Sequence, residues 1–456
     1  MAFGGGSFVT QNKILPGVYV NVNQQSKVGS ALSDRGVAAL GLELDWGPDG
    51  ELFYLEASEF RSRAQSLFGY AYGDRHLQGL RDLFLHAAGC YFYRLNSGER
   101  AACSLAEARF SGVRGNALLV TVEAAGASGE AGENESGVVV ASGESGNTEA
   151  ATQFVVTSWL DGQEVDRQQV KSAAELLDND YICWKGGATL QAGYLSFSGG
   201  SNKAKVGAED YQKLLEALGE CEFNALGCLS CEPAVQNLFV QYTREQREDN
   251  GRKFQTVLYN CAANYEGVIN LGSKALAEDL PESGLVFWLL GAEAGCAVNA
   301  TLTNAVYDGE IKAEATASQR DLQQALLEGS LVLHRLNGEL RVLEDVNSLQ
   351  NWQEGGLEDR RFNQTVRVLD QIVLDLAALF YQRYLGIVPN DNAGRISLWS
   401  DVVAYYRKLE GLRAIESFDA AAVTVAQGEN KKAVVISSYL NVTNAMSQLY
   451  LTVTFN

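Results

Sequence analysis

The 456-residue sequence predicts a multidomain chain that combines the α/β and α+β classes. Three observations predict it. From 187 to 349, short strand-like runs alternate with amphipathic runs, the pattern of an α/β layer. From 96 to 186 the periodicity is that of strands broken by turn signals. From 350 onward two long helical runs precede three strand-like runs, the order of an α+β domain.

Residues 1–35 form an N-terminal arm: a polar, glycine-rich leader, then the short strand Pro16-Gly17-Val18-Tyr19-Val20-Asn21-Val22. In 36–95, Val37–Leu44 reads as a strand and Ser58 as the N-cap of a helix to Leu67. Leu77–Ala88 is a second helix and Tyr91–Leu95 a strand. In 96–186, strands Ala117–Glu123 and Phe154–Leu160 precede the turn Asp161-Gly162, which leads into Gln163–Val170. Gly126–Ala150, rich in Gly, Ser and Glu, reads as surface loops flanking Val138–Val140. An inserted β-sandwich on the outer surface fits this segment.

In 187–349 the expected strands are Phe223–Leu229, Phe254–Tyr259, Gly267–Leu271 and Ser330–Leu336, the last entering a hairpin at Asn337-Gly338. The expected helices are Asp210–Leu218, Ala234–Glu245, Glu282–Val298 and Gln319–Leu327. The domain 350–447 opens with a helix from Arg360 to Leu385, with Phe362, Val366, Leu369, Val373, Leu376 and Phe380 as its buried stripe. Gly386 caps it and Pro389 ends it. A second helix from about Ile396 carries Leu398, Val402, Tyr405, Leu409 and Leu412 on one face, and Ala421–Ala426 and Ala433–Leu440 are strands. In the final stretch, 448–456, Leu449, Leu451, Val453 and Phe455 alternate with Tyr450, Thr452 and Thr454, as in a strand with one buried face.

Short strands near both ends would leave free edges, an aggregation hazard unless strands are exchanged between chains. A polymer is therefore expected. Val18, Tyr19, Val20, Asn21 and Val22 would donate one strand, and Leu449 to Phe455 the other. The acceptor would be the pair carrying Val423, Thr424, Val425 and Val434, Val435, Ile436. Val22–Asp34 and Leu440–Met446 would serve as flexible hinges.

The formal net charge of −20 argues against nucleic-acid binding. Charge is uneven: residues 96–190 hold 14 acids against 6 bases, whereas 360–413 hold 8 bases against 5 acids. Arg360, Arg361, Arg367, Arg383, Arg395, Arg407 and Lys408 are candidates to face an acidic partner. A solvated face, or one paired with a neighbouring subunit's acids, is the alternative. Eight scattered cysteines, a leader without a signal-peptide pattern, and no apolar run of spanning length lead us to expect reduced thiols, no membrane contact and synthesis in a cytoplasm.

No enzyme motif stands up. Gly267 to Lys274 has phosphate-loop glycine spacing, but Ser273 and Lys274 are in the wrong order. Only His76, His86 and His334 could serve a Ser–His–Asp site, and none is placed for it. Cys228-Leu229-Ser230-Cys231 has metal or redox spacing without a second ligand pair, so a strand end packed in the core is the simpler reading. No catalytic, cofactor or metal residue is assigned. The rival functions are an α/β hydrolase or nucleotide-binding enzyme, and a monomeric surface or binding protein.

Six phrases resemble one family, in the same order along the chain. They are Pro16-Gly17-Val18-Tyr19, Leu302-Thr303-Asn304-Ala305-Val306-Tyr307-Asp308-Gly309-Glu310, Leu343-Glu344-Asp345-Val346-Asn347-Ser348-Leu349, Arg367-Val368-Leu369-Asp370-Gln371-Ile372, Tyr384-Leu385-Gly386-Ile387-Val388-Pro389-Asn390 and Met446-Ser447-Gln448-Leu449-Tyr450-Leu451-Thr452-Val453. The family is the sheath proteins of contractile phage tails, R-type bacteriocins and related injection particles, and the likeness is nearest to Gram-positive phage-type sheaths. The resemblance implies a subtilisin-like α/β layer without catalytic residues and a C-terminal domain facing an inner tube. It also implies hexameric rings of this chain stacked around that tube, with baseplate and tail terminator proteins as further partners and no cofactor. The particle would assemble in a bacterial host cytoplasm, and contraction would drive the tube through a cell envelope. Whether the particle is a phage or a headless device stays open.

Overall fold

One seven-stranded sheet organises most of the chain, and its strand order departs from sequence order. Across the sheet the strands are Ser330–Leu331, Val268–Leu271, Gln255–Tyr259, Ala225–Cys228, Val37–Leu42, Gly89–Arg94 and Leu52–Glu56. Every neighbouring pair is parallel except the last, where Leu52–Glu56 runs antiparallel to Gly89–Arg94. The computed structural model describes residues 4–6, 17–19, 35–125, 153–315, 318–350 and 358–455.

Parallel strands need covered faces on both sides, and this sheet has them. The period of two along Val37–Leu42 divides the core: Ala38, Leu40 and Leu42 pack with helices Ala57–Phe68, Gln78–Phe84 and Val286–Gly295. Ala39 packs on the other face with helices Ala208–Ala217 and Pro233–Glu248. Val286–Gly295 is buried on nearly every side, as a helix apolar all round must be. It lies close to Gln78–Phe84 because two glycines permit it: a Cβ on Gly291 would meet the Leu83 carbonyl oxygen at 2.2 Å, and one on Gly295 the His86 carbonyl oxygen at 2.2 Å.

The segments 36–95 and 187–349, expected as separate parts, are thus one layer. The intervening β segment forms a four-stranded antiparallel sheet in the order Gly193–Ser196, Leu118–Ala125, Gln153–Leu160, Gln163–Val170. A two-stranded ribbon, Ala106–Ala108 with Ile182–Trp184, shares its core around Trp46, Val120 and Leu160. Asp161 and Gly162 both take positive φ, as the tight turn requires. The sheet reaches Ser196 and a bridge ties Glu99 to Ser201, so the segment runs past the expected boundary at 186. The strand expected at Val138–Val140 lies outside the described residues.

The chain divides into two compact units. One comprises Arg35–Asp370 with Asn444–Asn456; the other comprises Met1–Asp34 with Gln371–Thr443. The boundary between these units falls inside the helix Asn363–Arg383. In the second unit, Asp391 caps the helix Asn392–Gly411 by accepting from the Gly394 amide. That helix buries Leu398, Val402, Tyr405 and Leu409, while Leu412 at its end is partly exposed. Two small antiparallel pairs complete the unit: Ile415–Glu416 with Asn441–Val442, and Thr424–Gln427 with Val434–Ser437.

The stripe expected on Asn363–Arg383 is only half present. Val366 is buried, but Val373 is exposed, and the helix buries Val368, Ile372 and Leu379 instead. Its first turns also bury Asn363, Gln364, Thr365, Arg367, Asp370 and Gln371. Apolar spacing alone could not show that polar side chains occupy the core side there.

Candidate assembly surfaces and the buried charge cluster

The C-terminal run is the most exposed apolar stretch among the described residues. Leu449, Leu451, Val453 and Phe455 are exposed, Leu449 at 86% and Phe455 at 90%, as are Met446 and Tyr450. Leu449–Phe455 belongs to no strand and pairs with no described segment of its own chain. Just before it, the Ala445 amide donates to Gln364 Oε1 at 3.1 Å and the Thr365 hydroxyl to Asn444 Oδ1 at 3.0 Å. The Thr443 amide donates to the Ala414 carbonyl. The link expected to be a hinge, Leu440–Met446, is therefore bonded along most of its length.

The hairpin Thr424–Gln427/Val434–Ser437 stands alone as a two-stranded sheet. Gly428 donates to the Ala433 carbonyl, and the register pairs Ala426 with Val435 and Thr424 with Ser437. Hydrogen-bonded and non-bonded pairs alternate in an antiparallel ladder, so Val434 and Ile436 turn their amides and carbonyls to one outer edge, and Val425 and Gln427 theirs to the other. Thr424, Val425, Val434, Val435 and Ile436 thus sit in the hairpin as expected. Val423 does not: it is buried ahead of the strand, and its carbonyl accepts from Trp399 Nε1. At the N-terminus, Gly17–Tyr19, with Val18 and Tyr19, runs parallel to Gly4–Gly6 of the same chain; Val20, Asn21 and Val22 lie outside the described residues.

The basic set is divided between the two units. Arg367 is 1% exposed and cannot meet a tube. Arg361 is largely buried and paired with Glu344, and Arg360 pairs with Glu266. Those three belong to the larger unit. Arg383, Arg395, Arg407 and Lys408 belong to the smaller one, where Arg383 pairs with Asp401 and Arg395 bonds Asn390. Arg407 and Lys408 are exposed.

Arg367 instead anchors a buried charge cluster that sequence reasoning missed. Its Nη2 lies 2.6 Å from Glu293 Oε2 and 3.4 Å from Asp345 Oδ2. Asn363 donates to Asp345 Oδ1 at 2.8 Å, and the Leu302 amide and Thr301 hydroxyl donate to Asp345 Oδ2. Beside it, Arg247 pairs with Asp370 at 2.5 Å, and Arg35 donates to the Cys296 carbonyl. Burial, reinforced by the Asp345 charge, pushes the Glu293 carboxyl up to about 8 against the pull of Arg367. Asp345 feels the same burial, but Arg367, Glu293, the Leu302 amide and Asn363 together hold it below its ordinary value. Burial and the Arg367 charge lower Arg35 to about 10.

Three of the phrases singled out in the sequence meet in this cluster: the one beginning at Leu302, the one containing Asp345 and the one beginning at Arg367. Asp82 holds the far end of the first phrase by accepting from the Glu310 and Ile311 amides and the Tyr307 hydroxyl. The signal that could have found the cluster was the run of polar residues inside those phrases. The enzyme candidates do not converge. His76 bonds Asp74, His86 bonds Asp308, and His334 lies in a surface hairpin. Cys228 ends a buried strand, and among the described residues no three His, Cys, Asp or Glu are grouped to hold a metal.

Among the described residues, the α/β layer with its inserted antiparallel sheet is accompanied by a lone two-stranded hairpin and an unpaired apolar run at the C-terminal end. Comparison with known proteins gives the family. The phage tail sheath protein central domain matches residues 204–348, and the phage tail sheath C-terminal domain matches 358–456. Together they take in more than half of the chain. The protein XkdK of the phage-like element PBSX of Bacillus subtilis is 26% identical over 99% of this chain and 100% of its own. The crystal structure of the sheath tail protein from Desulfitobacterium hafniense covers 95% of this chain and 99% of its own, with 27% identity and a TM-score of 0.78. The anti-feeding prophage helical sheath in its contracted state covers 97% of this chain and 99% of its own, at 12% identity and a TM-score of 0.53, a likeness of fold. The chain belongs to the phage tail sheath family and is a structural subunit of a contractile tail sheath.

Proposed function

We propose that copies of this chain join by strand exchange at the C-terminal hairpin. The observation that carries this reading is the unpaired apolar run Leu449–Phe455 in a chain that also offers a hairpin with two open edges. Each main-chain hydrogen bond added to an edge contributes only about 0.5–1.5 kcal/mol net. Seating Leu449, Leu451, Val453 and Phe455 in a neighbour adds roughly 1.5–3 kcal/mol per side chain, so the apolar face dominates. The arm around Val18–Val22 would take the other edge and complete a four-stranded sheet.

In this reading the subunits form rings of six, stacked around a tail tube between baseplate and terminator proteins. The particle assembles in the bacterial host cytoplasm. The segment near 96–186 lies outermost, and residues 350–447 approach the tube. The mostly parallel layer with helices on both faces supports a subtilisin-like origin, used as a rigid body without catalysis. Contraction is a one-way passage from a metastable lattice to one with more subunit contact, and it consumes no nucleotide.

Negative-stain electron microscopy of the full chain and of a chain lacking residues 448–456, each alone and co-expressed with the tube protein, tests the exchange. Hollow tubes from the full chain that vanish on truncation are the expected result. Tubes that persist would rule out the C-terminal strand as the joint.

A further inference from the structure

The larger unit contains a crevice to which the proposed strand exchange assigns no role. From the central strand Val37–Leu42 the chain builds outward to Gly89–Arg94 on one side, then returns to open the other side with Ala225–Cys228. Connections therefore leave the two central neighbours in opposite directions. In open parallel sheets that divergence, at the carboxyl ends of the strands, leaves the crevice where ligands bind. Here it is a cavity of about 480 Å³, bounded by residues that follow both strands, Glu43 to Asp45 on one and Leu229 to Glu232 on the other.

The lining selects a charge sign. Where nucleotide-binding folds place glycines after the first strand, this chain has Glu43-Leu44-Asp45. Glu43, Asp45, Glu232 and Asp279 supply carboxylates, and no lysine or arginine lines the cavity. Asp45 is held by Tyr70 and Asn202, and Asp279 pairs with Arg75 at the rim. His76, bonded to Asp74, is the remaining basic group. Glu43 and Glu232 are exposed at the cavity's mouth and have no side-chain hydrogen-bond or ion-pair partner among the described residues. Both act on one buried group: the Tyr211 hydroxyl is raised first by burial and then by nearby charges that include these two. Burial also raises Glu43 itself. Leu77, Leu80 and Phe287 supply apolar wall.

We propose that this crevice binds a primary ammonium group carried on an aliphatic chain, its charge facing Glu43 and Glu232 and its methylenes against the apolar wall. A free polyamine and a lysine side chain of another polypeptide present this same chemistry. The site lies wholly within the larger unit.

The test is calorimetric titration of the full chain with 1,5-diaminopentane, with Nα-acetyl-lysine methylamide and with pentane-1,5-diol as the neutral isostere. Saturable binding of an amine but not of the diol is expected. Glu43→Gln and Glu232→Gln should each weaken it about tenfold, as loss of a charge-assisted contact does. Glu164→Gln, which removes an equal charge from the outer sheet, should leave it unchanged, and circular dichroism checks that every variant folds. Tighter binding of the diamine assigns the site to a free polyamine, and equal or tighter binding of the lysine amide assigns it to a side chain. Absence of saturable amine binding, or equal weakening by Glu164→Gln, overturns the proposal.

Discussion

At the residue scale, Arg367 shows how a buried charge is stabilised and what it does. Its guanidinium meets two carboxylates, and three bonds from Asn363, Thr301 and the Leu302 amide satisfy Asp345. Such a cluster ties three distant segments into one arrangement, though replacing it by apolar residues need not lower stability. Its titration is testable. Glu293 is raised from 4.5 to about 8, so between those values the folded chain keeps a proton that the unfolded chain has released. Stability from this group is therefore present at low pH and lost as pH rises towards 8, with a slope of at most about 1.4 kcal/mol per pH unit. Thermal melts of Glu293→Gln should show a flatter dependence than the parent between pH 5 and 8; parallel curves would remove Glu293 as the cause.

At the element scale, close packing and edge geometry make separate predictions. Gly291→Ala pushes a methyl onto the Leu83 carbonyl oxygen, so the two helices must part, at a cost of about 1–3 kcal/mol in denaturant unfolding. Ile436 and Val435 differ in which way their amides point. Ile436→Pro removes an outward donor and should leave the monomer melting within a few degrees of the parent while abolishing polymer formation. Val435→Pro breaks the hairpin's own ladder and should lower monomer stability as well. Equal effects of the two would show that the outer edge is not used.

The same scale shows what was legible. Val37–Leu42, Gln255–Tyr259 and the Asp161-Gly162 turn fall where period and turn chemistry put them, because those signals are local. The far side of Asn363–Arg383 was misread because its burial is polar, and a polar residue carries no mark of its distant partner. Arg367 looked like a surface base for that reason. The C-terminal alternation reads as a strand in the sequence, yet in the single chain Leu449–Phe455 forms none.

At the scale of the whole molecule, truncation after Ser447 separates folding from assembly. Residues 448–455 are exposed and bury little within their own chain, so the truncated protein should unfold within about 0.5 kcal/mol of the parent in urea. A larger loss would mean that the run packs on its own subunit. The sequence by itself determined the α/β and β segments, the hairpin and, through its phrases, the sheath family, since periodicity and turn chemistry act over a few residues. The tertiary structure alone decided three things. Residues 36–95 and 187–349 share one sheet, Arg367 belongs to a buried carboxylate cluster, and a carboxylate-lined crevice opens where strand order reverses. Each depends on groups from tens to hundreds of residues apart in the chain meeting in space, which no local pattern specifies.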